Sequence, residues 1–268
     1  MKTLLTLLFL LTAFYANAQR TLFSGQNNYV APVAPPSLVT AGLVLNLDAG
    51  NAASYPGSGT TWTDLSGRGN NGTLYNTVSY NASNQGSLVF NGYENGQGPN
   101  PYVLLPTNAD FDFGSGDFSV EMWIYIRPAN DHPNFLSINV DPATNYAALR
   151  MSYYQGNLGV SHSTDNSTWS AQQGVAFSLN TWKHVVVSRI SGQITLYLDG
   201  ISRLSYSLPG SLMSNKLNVI GTIYPNFGNP AFYNLSGNIA LTKFFKGKGL
   251  TASEVATHFD LTKSRFGL

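Results

Sequence analysis

The feature that most constrains this chain is a strict alternation of apolar and polar side chains in short segments. In residues 118–127, FSVEMWIYIR, apolar residues occupy every second position, and Glu121 is one of the residues between them. Side chains two positions apart lie on the same face of a β-strand, so the pattern predicts a strand with one buried face. Residues 43–47 and 193–200 alternate in the same way.

Similar short segments recur along the chain and predict an all-β fold. They are separated by turns rich in Gly, Asn, Pro and Ser. Many short strands with no helices between them favour an antiparallel β-sandwich over a parallel sheet, because parallel neighbours need long crossover connections. The further predicted strands lie near Leu88, Val103, Met151, Val160, Val186, Val219 and Leu241.

One helix is predicted, close to the C-terminus. Thr251 and Glu254 have the spacing of a capping box, in which each side chain bonds the backbone N–H of the other residue. Val255 and Phe259 follow as apolar positions, so residues 251–259 should form about two turns. We expect this helix to dock against the sandwich.

Residues 1–18 have the organisation of a secretory signal. Lys2 precedes an apolar run that ends in the Ala-Asn-Ala of a cleavage site. The pattern predicts bacterial export with cleavage before Gln19, and therefore a secreted or surface location. The alternative is an uncleaved membrane anchor, but the apolar run is shorter than the roughly 20 residues that span a bilayer. We expect no membrane span after cleavage.

The chain after the signal divides into a leader and one domain. Residues 19–42 lack periodicity and contain several prolines, which predicts an extended leader or linker. Residues 43–268 are predicted to form a single domain, because a chain that is 43% hydrophobic and 13% aromatic can build one large core. Cysteine is absent, so this core must stabilise the fold without disulfides.

The charge balance argues against two classes of partner. Only 10% of the residues are charged, and the net charge is +1. Surfaces that bind nucleic acid or anionic lipid need clustered Lys and Arg, and the sequence has no such stripe. We therefore expect no nucleic-acid partner, and a polar, aromatic-rich binding surface instead.

The segment GRGNNG, residues 67–72, has the Gly-x-Gly-x-x-Gly spacing of dinucleotide-binding loops. Such a loop opens a helix at its third glycine, whereas the segment that follows here, TLYNTVSYNAS, favours extended structure. Two interpretations remain open. Either Asp64 and Ser66 bond the chain's own amides in a turn, or Asp64, Asn70 and Asn71 supply oxygen ligands to a calcium ion.

A series of motifs follows in a consistent order from residue 43 to the C-terminus. An Asp-x-Ser-Gly-x-Gly-Asn-x-Gly segment leads into GTL, and SLVFNG, FSVEMWIYIRP, WKHVVVSR, ITLYLDG and GNIALTKFFKGKGLTASEVATHFD come after it. The series resembles laminin G-like domains of the concanavalin A-like lectin and glucanase superfamily. This resemblance implies a jelly-roll β-sandwich with a short terminal helix. It also implies a calcium ion at the rim in many relatives, with ligands that vary.

Glycan binding is the function that the aromatic-rich loops favour. Loops at the end of a sandwich commonly carry recognition, and sugars need aromatic faces together with amide or carboxylate groups. The alternative is that the rings pack beneath their own loops, as we expect for the strand residues Trp123 and Trp182. The candidate binding residues are Trp169, Tyr224, Phe227 and Tyr93 in polar loops, and Glu121 on the outward face of its strand.

Catalysis is not expected. Glucanases of the superfamily carry paired carboxylates on one strand, and glycosidases place the pair roughly 5–10 Å apart. No second carboxylate accompanies Glu121 on its predicted strand. The sequence thus predicts an exported, non-catalytic binding or adhesion module for a glycan or cell-surface ligand, assisted by calcium. Two alternatives stay open: a surface-assembly protein with protein partners, and a slow polysaccharide hydrolase.

Overall fold

A computed structural model describes residues 35–92, 100–128, 132–170, 172–214, 216–223 and 233–268. Residues Ser37–Leu268 form one compact unit. The unit begins before Leu43 because Val39 packs on the domain and its backbone N–H donates to His258. No helix among the described residues is long and apolar enough to cross a bilayer. The predicted signal lies outside the described residues, so its cleavage stays a prediction.

The described residues form two antiparallel sheets. The strands are β1 (Leu43–Asp48), β2 (Thr61–Trp62), β3 (Gly72–Tyr75), β4 (Ser79–Asn81), β5 (Ser87–Asn91), β6 (Tyr102–Leu105), β7 (Phe118–Ile126), β8 (Asn134–Val140), β9 (Ala147–Tyr154), β10 (Asn157–Ser161), β11 (Gln173–Ala176), β12 (Trp182–Ile190), β13 (Gln193–Leu198), β14 (Ile201–Ser207), β15 (Leu217–Ile220) and β16 (Ser236–Lys246). Sheet A has the order β14-β13-β12-β7-β16-β5-β4, and β1 also pairs with β16. Sheet B has the order β11-β10-β9-β8-β15-β6-β3-β2.

The main core lies between the two sheets and consists of the inward positions of the alternating strands. Val120, Met122 and Ile124 enter it from sheet A, and Leu136 and Leu149 enter it from sheet B. Each such side chain contributes about 1.5–3 kcal/mol when it is fully buried, so the core is the main source of stability in a chain without disulfides. The predicted jelly-roll β-sandwich is confirmed.

Every strand predicted from the sequence is present, and several additional strands are found. β8 was missed although its residues 136–140, LSINV, alternate between apolar and polar side chains. All of its side chains are buried, including those of the polar Ser137 and Asn139. β14 was also missed. It lies at the edge of sheet A, and none of its side chains is fully buried.

The outer face of β7 is also buried, which contradicts the strand with one buried face that its alternation predicted. Ser119, Glu121 and Trp123 point away from the main core, yet each has 0% of its surface exposed. The cover is the C-terminal helix, α1 (Ala252–Thr262), which lies across the outer face of sheet A. The sandwich is therefore closed by a third layer at this point.

The capping box predicted at the start of α1 is confirmed. The Thr251 side chain accepts a hydrogen bond from the Glu254 N–H, and the Glu254 carboxylate accepts one from the Thr251 N–H at 2.8 Å. The helix is longer than predicted, since it continues to Thr262. Phe259 stacks on Trp123 with ring centroids 5.9 Å apart, which holds the helix against sheet A.

Thr251→Ala should lower the free energy of unfolding by about 1 kcal/mol, because the N–H of Glu254 loses its acceptor. Urea denaturation followed by tryptophan fluorescence measures the change. Ser253→Ala is the matched control, since Ser253 is an exposed residue of the same first turn. It should change stability by about 0.5 kcal/mol or less. Equal losses in the two variants would contradict a capping role for Thr251.

Candidate functional site

The glycine loop is a closed turn built around Asp64. Its carboxylate accepts hydrogen bonds from the backbone N–H groups of Asn46, Ser66 and Asn70 at 2.8, 2.9 and 3.0 Å. The Ser66 hydroxyl donates a further bond at 2.7 Å. Gly69 has a φ of +75°, a left-handed conformation that favours glycine. A strand follows the loop, as the sequence predicted, so the context required of a nucleotide-binding loop is missing.

The oxygens predicted to bind calcium already accept hydrogen bonds within the turn. Besides the Asp64 carboxylate, Asn71 Oδ1 accepts from the Asp64 N–H at 2.9 Å, and Asn70 Oδ1 accepts from Asn108 Nδ2 at 2.7 Å. Calcium needs six to eight oxygens, so binding here would break the bonds that hold the turn. No group of three or more His, Asp or Glu suited to a metal occurs in the described part of the chain. The arrangement fits the turn and does not fit a calcium site at Asp64, Asn70 and Asn71.

Glu121 was predicted to line an exposed binding surface, but it is buried beneath α1. Its Oε1 lies 3.0 Å from Nε2 of His184 on β12, and its Oε2 lies 2.8 Å from Nδ1 of His258 on α1. All three side chains are inaccessible to solvent. The prediction was wrong because alternation identifies the face of a strand but not what covers that face. Glu121 joins α1 to sheet A and cannot meet a ligand at the surface.

The hydrogen bonds around Glu121, His184 and His258 indicate where the protons of these buried side chains lie. The Val39 N–H donates to His258 Nε2 at 2.8 Å, so the proton of that ring lies on Nδ1 and is donated to Glu121. Burial by itself raises the pKa of Glu121. The positive charge of Lys243 and the hydrogen bonds from His184 and His258 outweigh burial, and hold the pKa of this carboxyl well below its ordinary value. Glu121 is therefore a buried carboxylate ion that the Lys243 ammonium balances.

Trp169 lies on the outer face of sheet B with Arg150 and Tyr146, and we call these three residues the Trp169 patch. The Arg150 guanidinium is 4.4 Å from the centroid of the Trp169 ring, and the Tyr146 ring centroid is 5.4 Å from it. Arg150 follows the core residue Leu149 in β9, so alternation places its side chain on the outer face. All three residues are partly exposed. The patch combines an aromatic surface with a cation that packs against it.

The two loops that carry the aromatic rings of the patch are hydrogen-bonded to each other. Residues 141–146 form one loop and residues 162–170 form the other. Asn166 Nδ2 donates to Asp141 Oδ2 at 2.7 Å, and the Thr144 hydroxyl donates to Asn166 Oδ1 at 2.7 Å. These bonds fix the two loops, and the aromatic rings that they carry, relative to each other.

An apolar strip continues from the patch across the outer face of sheet B. Tyr102, Val140 and Val219 form a cluster with Trp169 that is separate from the core between the sheets. Tyr75 stacks on Tyr102 with ring centroids 4.8 Å apart, and Tyr75 is 39% exposed. The outer face of sheet B therefore presents partly exposed aromatic rings at two places.

A groove with aromatic and polar walls lies on sheet A. The rings of Tyr125 and Trp182 are 5.7 Å apart and line a cavity of about 280 Å³ with Arg127 and Asn238. Trp182, predicted to be structural, is partly exposed here. Trp182 Nε1 donates to Asn84 Oδ1 at 3.2 Å, and Arg127 donates to Asn238 Oδ1 at 2.7 Å. These polar groups of the groove are bonded to one another.

The structure places one of the predicted ligand-binding residues, Trp169, at a partly exposed site. Arg150 was missed, although its sequence contained a signal. It is the charged residue of AALRMSYY, and a charge at an alternate position of an otherwise apolar strand indicates the solvent face. The roles of three further residues stay predictions because they lie outside the described residues: Tyr93, Tyr224 and Phe227.

Comparison with protein families gives a match over more than half of the chain. Residues 95–256 match Laminin_G_3, which is described as the concanavalin A-like lectin/glucanases superfamily. The match extends from the residues before β6 into α1, so it includes the Trp169 patch. No curated protein matches the chain in sequence.

Solved structures with a similar fold include toxin binding domains. The binding domain of Paraclostridial Mosquitocidal Protein 1 has a TM-score of 0.63 and 18% identity, over 82% of this chain and 52% of that one. The botulinum neurotoxin serotype D binding domain has a TM-score of 0.63 and 15% identity, over 83% and 52%. The binding domain of botulinum neurotoxin DC in complex with rat synaptotagmin II has a TM-score of 0.62 and 14% identity, over 84% and 52%. This chain therefore spans about half the length of those chains, and at these identities the likeness shows the fold alone.

Glu121→Gln should remove a pH-dependent part of the stability. The folded pKa of Glu121 is below its value of about 4.3 in an unfolded chain, so the carboxylate stabilises the protein above that pH. This contribution is lost as the pH falls through the folded pKa. Near neutral pH the variant should be less stable by roughly 3–5 kcal/mol, because Lys243 loses its counter-charge. Urea unfolding at several pH values should show that the difference in unfolding free energy between wild type and variant becomes smaller in acid. A difference that does not change with pH would contradict a buried carboxylate ion.

Asp64→Ala should lower the free energy of unfolding by about 2–4 kcal/mol, because three backbone N–H groups lose a charged acceptor. Asp260→Ala is the control, since that side chain is 63% exposed, and it should cost about 0.5 kcal/mol or less. Thermal unfolding of the wild type should be unchanged by EDTA. A melting temperature that falls on chelation and recovers with added calcium would show that the loop binds a metal.

Proposed function

The chain belongs to the Laminin_G_3 family of the concanavalin A-like lectin/glucanases superfamily, and from that premise we propose that it is an exported, non-catalytic binding or adhesion module. The proposed ligand is a glycan, or a cell-surface molecule that carries one, bound at the Trp169 patch. Family membership supports the fold and leaves the ligand open, since one fold serves many functions. The case for the ligand therefore rests on the patch.

The observation that carries the proposal is the partly exposed Trp169 ring beside the Arg150 guanidinium. Saccharides present apolar C–H faces that pack on aromatic rings, and hydroxyl oxygens that accept hydrogen bonds. Arg150 is held in place because its Nε donates to Ser161 Oγ at 2.9 Å. An indole and a guanidinium that are already positioned lose little conformational freedom when a ligand binds.

The absence of a usable carboxylate on β7 supports a non-catalytic role. Glycoside hydrolysis normally needs two carboxyl groups that both reach the substrate. Both oxygens of Glu121 are bonded to histidines, and the residue is fully buried under α1. Glu121 therefore stabilises the folded structure and does not serve as a carboxylate in a hydrolytic reaction.

Export is part of the proposal and rests on the N-terminal sequence. Lys2, the apolar run after it and the Ala-Asn-Ala before Gln19 are the signs of a cleaved signal. A glycan-binding module is useful where glycans are displayed, so the proposed location is secreted or on the extracellular surface. Mass spectrometry of the N-terminus of exported protein tests this, with Gln19 as the expected first residue.

A protein ligand is the second candidate. One similar domain, the botulinum neurotoxin DC binding domain, is in complex with rat synaptotagmin II. In this chain the 39% exposed Tyr75 adds a second aromatic surface on the same sheet as the Trp169 patch. Aromatic residues are enriched at protein interfaces, so a broad ligand could contact both places.

Trp169→Ala should weaken binding to an immobilised glycan array by roughly tenfold or more, because an aromatic anchor of a binding site contributes about 2 kcal/mol. The fold should be kept, since Trp169 lies outside the core between the sheets. Circular dichroism and thermal unfolding check that the fold is intact.

Trp182→Ala is the matched control, because it removes the same ring from the groove on sheet A. If Trp182→Ala loses glycan binding and Trp169→Ala keeps it, the site is the groove on sheet A and not the Trp169 patch. An array on which the wild type binds nothing favours the protein ligand. Release of reducing sugar by the wild type would contradict the non-catalytic assignment.

A further inference from the structure

A cleft of about 410 Å³ lies between sheet A, the end of α1 and the residues before β1. Its walls include Lys243 from β16, Asp48 from β1 and Arg265 from the turn after α1. It is separate from the Trp169 patch, which lies on the other sheet. The volume is within the range of about 300–1,000 Å³ that is usual for sites of small ligands.

The chemical feature of this cleft is a buried cation whose hydrogen-bonding capacity is unused. Lys243 is 4% exposed, and its Nζ has no hydrogen-bond partner among the described residues. An ammonium has three N–H donors, and leaving them without acceptors in a buried place is costly. Lys243 is one of the residues that line the cleft, so an acceptor that enters beside it is the nearest candidate partner for these donors.

Neighbouring acidic groups do not supply that acceptor. Glu121 lies opposite Lys243 in the strand register, but its two oxygens are bonded to the histidines. Asp48 is paired with Arg265, whose guanidinium nitrogen is 2.7 Å from the Asp48 carboxylate. Glu121 thus lowers the electrostatic cost of burying Lys243, but it accepts no hydrogen bond from the N–H donors of Lys243.

The cleft also has an apolar side. Leu38 and Leu261 line it, and they are 37% and 43% exposed. Exposure of large apolar side chains beside a buried polar group is the usual arrangement of a small-molecule site, in which a few polar atoms orient an otherwise apolar ligand. The complementary ligand has an apolar body and one acceptor group.

We propose that this cleft binds a small amphiphilic carboxylate, whose oxygens accept hydrogen bonds from Lys243 Nζ and whose apolar body lies against Leu38 and Leu261. A carboxylate is preferred to a neutral acceptor because hydrogen bonds between charged groups are about twice as strong as neutral ones. The site is independent of glycan binding, so either function can fail while the other remains.

Sodium octanoate is a suitable probe, with 1-octanol as its uncharged counterpart. The Trp123 indole N–H donates to Thr262 Oγ1 at 2.9 Å, and both residues line the cleft, so its NMR resonance reports binding. Octanoate should shift this resonance saturably and bind roughly tenfold or more tightly than octanol, which corresponds to about 1.4 kcal/mol. Trp169→Ala should leave octanoate binding unchanged.

Lys243→Met should abolish the preference for octanoate over octanol. This change also leaves Glu121 without its counter-charge. A pair of variants at the exposed rim of the cleft therefore provides a second test. Leu261→Glu should weaken octanoate binding several-fold by charge repulsion, whereas Leu261→Lys should keep or strengthen it. Octanol binding should be similar in both rim variants.

Three results would overturn the proposal. Octanoate could fail to shift the Trp123 resonance of the folded wild type, which would mean that water alone solvates Lys243. Octanol could bind as tightly as octanoate, which would mean that the cleft selects only apolar volume. Leu261→Glu and Leu261→Lys could bind octanoate equally, which would place the carboxylate elsewhere.

Discussion

The burial of sheet A on both faces is the constraint on which the rest of the structure depends. One face packs against sheet B, and the other is covered by α1 and the residues before β1. The cover is polar as well as apolar, because the Glu121 carboxylate joins His184 of β12 to His258 of α1. A buried carboxylate is stable only while its donors and a compensating cation stay in place, so helix and sheet form one unit. Much of sheet A is thereby closed to ligands. The open surface lies on sheet B, at the borders of α1 and in the groove beside Tyr125 and Trp182.

Several acidic side chains that could serve a ligand are used to hold the chain together instead. Asp64 closes the glycine loop by accepting three backbone N–H groups and one hydroxyl. Asp141 joins the two loops that carry the aromatic rings of the Trp169 patch. The chain has only 13 acidic residues, and each carboxylate that holds a loop in this way reduces the number available for metal binding or catalysis. The Trp169 patch accordingly consists of aromatic rings and a guanidinium, and the ligand proposed for it is uncharged or weakly charged.

The Trp169 patch and the cleft beside α1 differ in the physical reason for expecting a ligand. At the patch, an aromatic ring that is already held in position is partly exposed. In the cleft, the buried Lys243 ammonium has N–H donors without acceptors among the described residues. Buried polar groups are nearly always bonded in folded proteins, and leaving a charged group such as an ammonium unbonded is especially costly. The two sites lie on different sheets and can be examined separately.

The sequence by itself determined the alternating strands, the antiparallel sandwich and the capping box at Thr251. These features depend on residues close together in the chain, or on a periodicity that repeats within one strand. Only the tertiary structure decided that the outward face of β7 is covered, that Glu121 is buried, and that Arg150 meets Trp169. Glu121 and His258 are 137 positions apart, and no local pattern in either segment reports that they touch. Periodicity states which way a side chain points, whereas long-range packing decides what it meets there.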